Sequence, residues 1–143
     1  MQDFFANVRT GNWKTAQLIA TRLHKAFHAD RYLYWSVIAA MLQAHDPTTP
    51  ESMQPILYKL AQRLLASSDA PPYASADRFH LHLSVLKALG ELDEAAKLLD
   101  TEEGKTIVKT SLVVDELRRE IVKERGELEA EGVAAQAKLT TQK

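Results

Sequence analysis

Gly11-Asn-Trp-Lys-Thr-Ala16 and Gly90-Glu-Leu-Asp-Glu-Ala95 share one spacing: glycine, an apolar residue two positions on, alanine five positions on, then aliphatic residues. A glycine lets the chain turn tightly between two antiparallel helices, and an alanine lets their axes come close. The intervening Trp13 or Leu92 is placed to pack back on the preceding helix. A helix with one apolar stripe cannot bury that stripe alone, so each unit of this kind asks for helical neighbours.

This pattern is the helix-turn-helix signature of tetratricopeptide repeats, which recur about every 34 residues. The two copies stand 79 positions apart, too far for adjacent repeats. A further helix pair with a loop insertion must lie between them. Residues 31–67 supply that pair, and the proline-bearing segment 46–55 supplies the extra length.

Outward from the first copy, Ala16, Ile19, Ala20, Leu23 and Phe27 follow at helical spacing, with Lys14, Gln17, Arg22 and Lys25 mostly on the other faces. Residues 2–9 read as a short helix with Phe4, Phe5 and Val8 on one side. After a break at His28-Ala-Asp30, a helix over about 31–44 is expected to turn Tyr34, Val37, Ile38, Met41 and Leu42 inward. His45-Asp-Pro-Thr-Thr-Pro50 ends it, because proline cannot continue a helix and restricts the residue before it. The next helix, about 51–67, is expected to be capped by Thr49 or Ser52 and to carry Pro55 in its first turn. Its stripe is Ile56, Leu57, Leu60, Ala61, Leu64 and Leu65.

Ser67-Ser-Asp-Ala-Pro-Pro72 reads as a loop before a helix at about 74–89, apolar at Phe79, Leu83, Leu86 and Leu89 and widened by Leu81 and Val85. Gly90 leads into a helix bearing Leu92, Ala95, Ala96, Leu98 and Leu99, and Thr101-Glu-Glu-Gly104 reads as a break. The longest helix is expected at about 105–131, with Ile107, Val114, Ile121 and Leu128 at every seventh residue and Leu117 between two of them. Polar Thr110, Glu124 and Glu131 at intermediate positions favour a single seam docked on the preceding helices over a coiled-coil dimer. The expected architecture is all-α: a tetratricopeptide-like α-α superhelix of antiparallel pairs with a long C-terminal helix. Residues 1–131 form one domain in this reading, with 132–143 as a disordered tail.

Composition narrows the function. A net charge of −1 gives no strong field towards nucleic acid or a membrane. The absence of cysteine removes disulfides and thiolate metal sites. No apolar run approaches the roughly 20 residues that cross a bilayer, and Met1–Arg9 lacks the pattern of a signal peptide. A soluble, cytoplasmic chain is expected.

Candidate chemistry is sparse. His24 and His28 stand four apart on one helix, but Lys25-Ala-Phe27 between them lacks the glutamate of His-Glu-x-x-His. His80 and His82 are two apart and diverge. Gly104-Lys-Thr106 echoes the end of a phosphate-binding loop, yet position 99, where the earlier glycine belongs, is Leu99. Thr106, Thr110 and Ser111 have no triad-like neighbours. Glu102-Glu103 and Asp93-Glu94 fall on solvated turns. The reading is of a chain that binds and does not catalyse, without metal or cofactor. Trp13, Tyr32, Tyr34 and Trp35 are read as packing residues and not as a stacking platform for bases, since no arginine-rich face accompanies them. The repeat positions that define the array are Gly11, Trp13, Ala16, Ala20, Tyr34, Trp35, Gly90, Leu92 and Ala95.

Phe4-Phe-Ala-Asn-Val-Arg-Thr-Gly-Asn-Trp-Lys-Thr-Ala16, Arg31-Tyr-Leu-Tyr-Trp-Ser-Val-Ile-Ala-Ala-Met-Leu-Gln43, Leu60-Ala-Gln-Arg-Leu-Leu65 and Leu89-Gly-Glu-Leu-Asp-Glu-Ala95 occur in that order. Together they resemble the auxiliary, non-catalytic subunit of the NatB N-terminal acetyltransferase complex over about 4–125. Tyr34-Trp-Ser-Val37 is the most specific part, while the Leu-Gly turn is common to many tetratricopeptide proteins. The resemblance implies a superhelical scaffold that holds the catalytic acetyltransferase subunit and helps dock it on the ribosome. That complex acetylates nascent chains beginning Met-Asp, Met-Glu, Met-Asn or Met-Gln, using acetyl-CoA. Family members are several times longer, so the match covers an early-to-middle stretch. The expected alternative is a general repeat adaptor that clamps a partner's C-terminal peptide through clustered lysine and asparagine. Arg31 is the one basic residue of that kind on the 31–44 helix before His45.

Overall fold

The computed structural model describes residues 2–68 and 71–141, and among them the regular structure is helical throughout. The helices are α1 (Gln2–Arg9), α2 (Trp13–Phe27), α3 (Asp30–His45), α4 (Gln54–Ala66), α5 (Ala76–Ala88), α6 (Leu92–Leu99), α7 (Glu102–Thr110) and α8 (Leu112–Thr141). Short 3-10 turns occupy Glu51–Met53 and Pro72–Ala74. Where the sequence suggests one domain, the chain divides into two compact units, Met1–Ala74 and Ser75–Lys143.

In the first unit α2 packs against α1 and α3, and α3 packs against α4. The α3–α4 pair runs antiparallel. At one end Gln54 Nε2 donates to the Ala44 carbonyl at 3.0 Å, and at the other Ser68 Oγ donates to Asp30 Oδ1 at 3.2 Å. The insertion between them is the proline segment, with Pro55 in the first turn of α4. Neither proposed cap serves α4. The Thr49 hydroxyl donates instead to the Gln43 carbonyl at 2.6 Å, Ser52 lies in the 3-10 turn, and the N-cap Met53 makes no side-chain bond. The 3-10 turn supplies the entry that a polar cap would otherwise give.

The inner face of α3 is only in part the one expected: Val37 is buried as foreseen, but Ile38 and Leu42 are not. Its buried residues are Tyr32, Leu33, Ser36, Val37, Ala39, Ala40 and Ala44, whereas Ile38 and Leu42 remain 41% and 40% exposed. The physical reason is that α3 has a neighbour on each flank. Ala39, Ala40 and Ala44 let the axes approach, Tyr32, Leu33 and Val37 fill the space beside them, and Ile38 and Leu42 are left on the remaining side.

The second unit is a bundle around Phe79, Leu83, Leu92, Ala95, Val114, Leu117 and Ile121. The Ser75 hydroxyl caps α5, accepting the Arg78 N–H at 3.1 Å, and the Thr101 hydroxyl caps α7, accepting the Gly104 N–H at 3.0 Å. Gly104 therefore lies inside a helix and is not the end of a break. A Cβ there would stand 2.5 Å from the Leu98 carbonyl oxygen, so only glycine fits the close approach of α7 to the end of α6.

The long helix foreseen from 105 is interrupted. Ser111 adopts φ −124° and ψ 111°, its N–H closing α7 on the Ile107 carbonyl at 2.8 Å. Its hydroxyl accepts the Val114 N–H at 3.4 Å and so opens α8. At the other end α8 continues to Thr141, through the stretch read as a tail from 132. That stretch is rich in alanine, glutamine and lysine, which favour helix, and one glycine does not stop it.

Candidate interaction surface

The two repeat copies fold into matching turns. Gly11 and Gly90 both adopt φ +75°, the left-handed region that favours glycine. In each, the glycine N–H bonds three residues back, Gly11 to Val8 at 3.2 Å and Gly90 to Lys87 at 3.0 Å. The next N–H bonds five back, Asn12 to Asn7 at 2.8 Å and Glu91 to Leu86 at 2.9 Å. Ala16, Ala20 and Ala95 are fully buried and Leu92 is buried. The turn ending α2 reaches the same region without glycine, since His28 has φ +51°.

Trp13 departs from Leu92 in its role. Its indole N–H donates to Asp46 Oδ2 at 2.7 Å, which ties the first helix-pair turn to the turn after α3. Asp46 Oδ1 accepts the Thr48 N–H at 2.9 Å and the Thr48 hydroxyl at 2.8 Å. The Thr48 backbone bond, then its hydroxyl, then Trp13 hold the Asp46 carboxyl below its ordinary range.

Trp35 sits where α1 and α3 meet. Its ring stacks on Phe4 at 4.9 Å and 17°, and meets Phe5 and Tyr32 edge-on, each at 5.1 Å. The fully buried Ala16, Ala20 and Ala39 leave room for that cluster. Half-buried Trp35 and exposed Ile38 and Leu42 then lie at i, i+3 and i+7 on one face of α3, with half-buried Tyr34 and Met41 at its margin. Phe5, 46% exposed, extends the face onto α1. Arg31 stands at its start, donating to the Tyr32 hydroxyl at 2.8 Å with its guanidinium 4.8 Å above that ring. His45 stands at its end. This face offers apolar and aromatic contact area with a cation at one end, chemistry suited to a protein segment.

The histidines differ in setting. The His24 and His28 rings are 6.4 Å apart at 70°, and among the described residues no group of three or more His, Asp or Glu could hold a metal ion. On α5, Arg78 is 1% exposed and lies one turn from His82. Burial, and then the Arg78 charge, push the His82 pKa down to about 4. Sequence reading passed over this pair, because a charged residue on an apolar helix reads as solvent-facing. No helix among the described residues is long and apolar enough to cross a membrane.

A family model described as Psidin, N-terminal TPR repeats region matches residues 1–139. No curated protein and no solved structure matches the chain.

Proposed function

The chain belongs to the family described as Psidin, N-terminal TPR repeats region, and on that premise we propose that it serves as a non-catalytic scaffold of the NatB N-terminal acetyltransferase complex. In this reading it supports the catalytic subunit and, through the complex, contact with the ribosome. The substrates would be nascent chains beginning Met-Asp, Met-Glu, Met-Asn or Met-Gln, and the site of action the cytoplasm. The family supports the coarser part, a repeat array that binds protein. The finer part rests on Tyr34-Trp-Ser-Val37 and the motifs in order around it.

The observation that carries the reading is the apolar face Phe5–Trp35–Ile38–Leu42. Large hydrophobic side chains, two of them from a central helix, stay in solvent although α3 is packed on both flanks. Contiguous exposed apolar residues of this kind mark interaction sites.

The test is affinity capture with the full-length gene product as bait, beside an Ile38→Asp/Leu42→Asp variant checked for native helicity. The wild type is expected to bring down an acetyltransferase subunit and ribosomes, and the variant to recover at least tenfold less of the subunit. Capture of a chaperone in place of the acetyltransferase would favour the general adaptor and sink the NatB assignment.

A further inference from the structure

The seam of α8 outlasts the bundle that covers it. Val114, Leu117 and Ile121 are buried against α5, α6 and α7. Among the described residues the last polar tie to the bundle is Arg125 Nε on Asp93 Oδ1 at 3.0 Å, at the first turn of α6. Leu128, seven residues after Ile121 on the same line, is 52% exposed. Beyond Arg125 the helix runs on to Thr141, about 24 Å at 1.5 Å per residue.

Two further features lie on that overhang. Gly132 follows Leu128 by one turn on the seam, and a Cβ there would meet nothing within 4 Å. Glycine in a helix interior is unfavourable relative to alanine. No contact among the described residues calls for it, whereas a flat spot admits a second helix closely. Along one flank stand Glu120, Glu124, Glu127 and Glu131, at i, i+4, i+7 and i+11. Glu120 pairs with Lys87 at 3.5 Å, and the other three have no ion pair among the described residues. Of the cations of this helix near them, Arg118 and Arg119 sit on Asp115 and Arg125 on Asp93 and Glu129; the exposed Lys123, one turn before Glu127, offsets part of the rail and leaves it net acidic.

We propose that the overhanging seam of α8 around Leu128 and Gly132, with its glutamate rail, is a second docking surface for a basic amphipathic helix of a protein partner. Apolar residues of that helix, spaced three and four apart, lie along Leu128 and Gly132, and its flanking lysines or arginines face Glu124, Glu127 and Glu131. Unpaired like charges repel one another along a helix, and a basic partner relieves that repulsion. The charge pattern selects against a second copy packed α8 on α8 in parallel, which would set these glutamate rails side by side. The proposal rests on reading the chain as a protein-binding array, and it is independent of the α3 face and of the acetyltransferase assignment.

The test uses the full chain and two synthetic helical peptides with the same leucine seam, one flanked by lysine and the other by glutamate. Binding is followed by fluorescence anisotropy at 50 and 300 mM salt. The lysine-flanked peptide is expected to bind, at least tenfold more tightly than its counterpart, and to weaken with salt. Leu128→Asp and the triple change Glu124→Lys/Glu127→Lys/Glu131→Lys should each lose at least tenfold, the second reversing the peptide preference. These positions are exposed or half-exposed, and circular dichroism confirms that each variant keeps its helicity. Equal binding of both peptides, binding unaffected by the substitutions, or no binding overturns the proposal. So does a dimer in sedimentation that Leu128→Asp makes monomeric, since the seam would then belong to a second copy. Failure here with intact capture through the α3 face leaves the proposed function standing.

Discussion

At Gly104 a single missing side chain decides how α6 and α7 join. The sequence marked this glycine as punctuation, and the structure makes it a contact: a methyl group would press on the Leu98 carbonyl oxygen at 2.5 Å and the Thr101 hydroxyl at 2.9 Å. Gly104→Ala is expected to destabilise the chain by about 1–3 kcal/mol, since neither atom can yield without breaking the cap. Chemical denaturation checks it, and an unchanged midpoint would refute the packing account. His82 gives a second prediction at this scale. Its folded pKa of about 4 lies below the ordinary value of 6.5, so the unfolded chain takes up the proton first as the solution is acidified. The stability contribution is full above 6.5 and is lost as pH falls from there towards 4. Thermal melts between pH 7.5 and 4.5 should therefore show a decline that His82→Gln reduces. Equal slopes in the two proteins would mean that His82 is not the titrating group. The glycine turns were legible because a left-handed residue leaves its mark in the chain itself. The Arg78–His82 pair was not, because burial of a cation depends on neighbours distant in sequence.

Elements show where pattern and packing part company. For α2, the apolar stripe includes the buried Ala16 and Ala20, but its last member, Phe27, is 65% exposed at the end of the helix. α3 is apolar nearly all round, and periodicity cannot choose a face when every face qualifies. Its alanines turned out to be inner residues, together with Tyr32, Leu33 and Val37. In α8 the seven-residue repeat was read as one seam, and the structure divides it by exposure. Ile121→Ala should cost about 2–4 kcal/mol, as for a buried aliphatic truncation, and Leu128→Ala no more than about 0.5 kcal/mol. Paired urea titrations decide the matter, and similar losses at both positions would show that the seam is covered along its whole length. The break at Ser111 was hidden because an apolar register persists across it, from Ile107 to Val114, while the chain changes direction by a cap.

For the whole molecule, the all-α class and the array of helix pairs could be read from two six-residue motifs, because each fixes a turn and the close approach of the helices beside it. The division into two units could not, since it depends on how apolar residues distribute between two cores. The first core is built on alanines and an aromatic cluster around Trp35, the second on Phe79 and aliphatic side chains. That difference has an optical consequence. Both tryptophans and all four tyrosines fall within Met1–Ala74, and Ser75–Lys143 contains neither. Intrinsic emission therefore gauges the first unit alone, whereas far-ultraviolet circular dichroism weighs the helices of both. Without any label, the gap between the two melting curves measures how far one half can come apart while the other still holds.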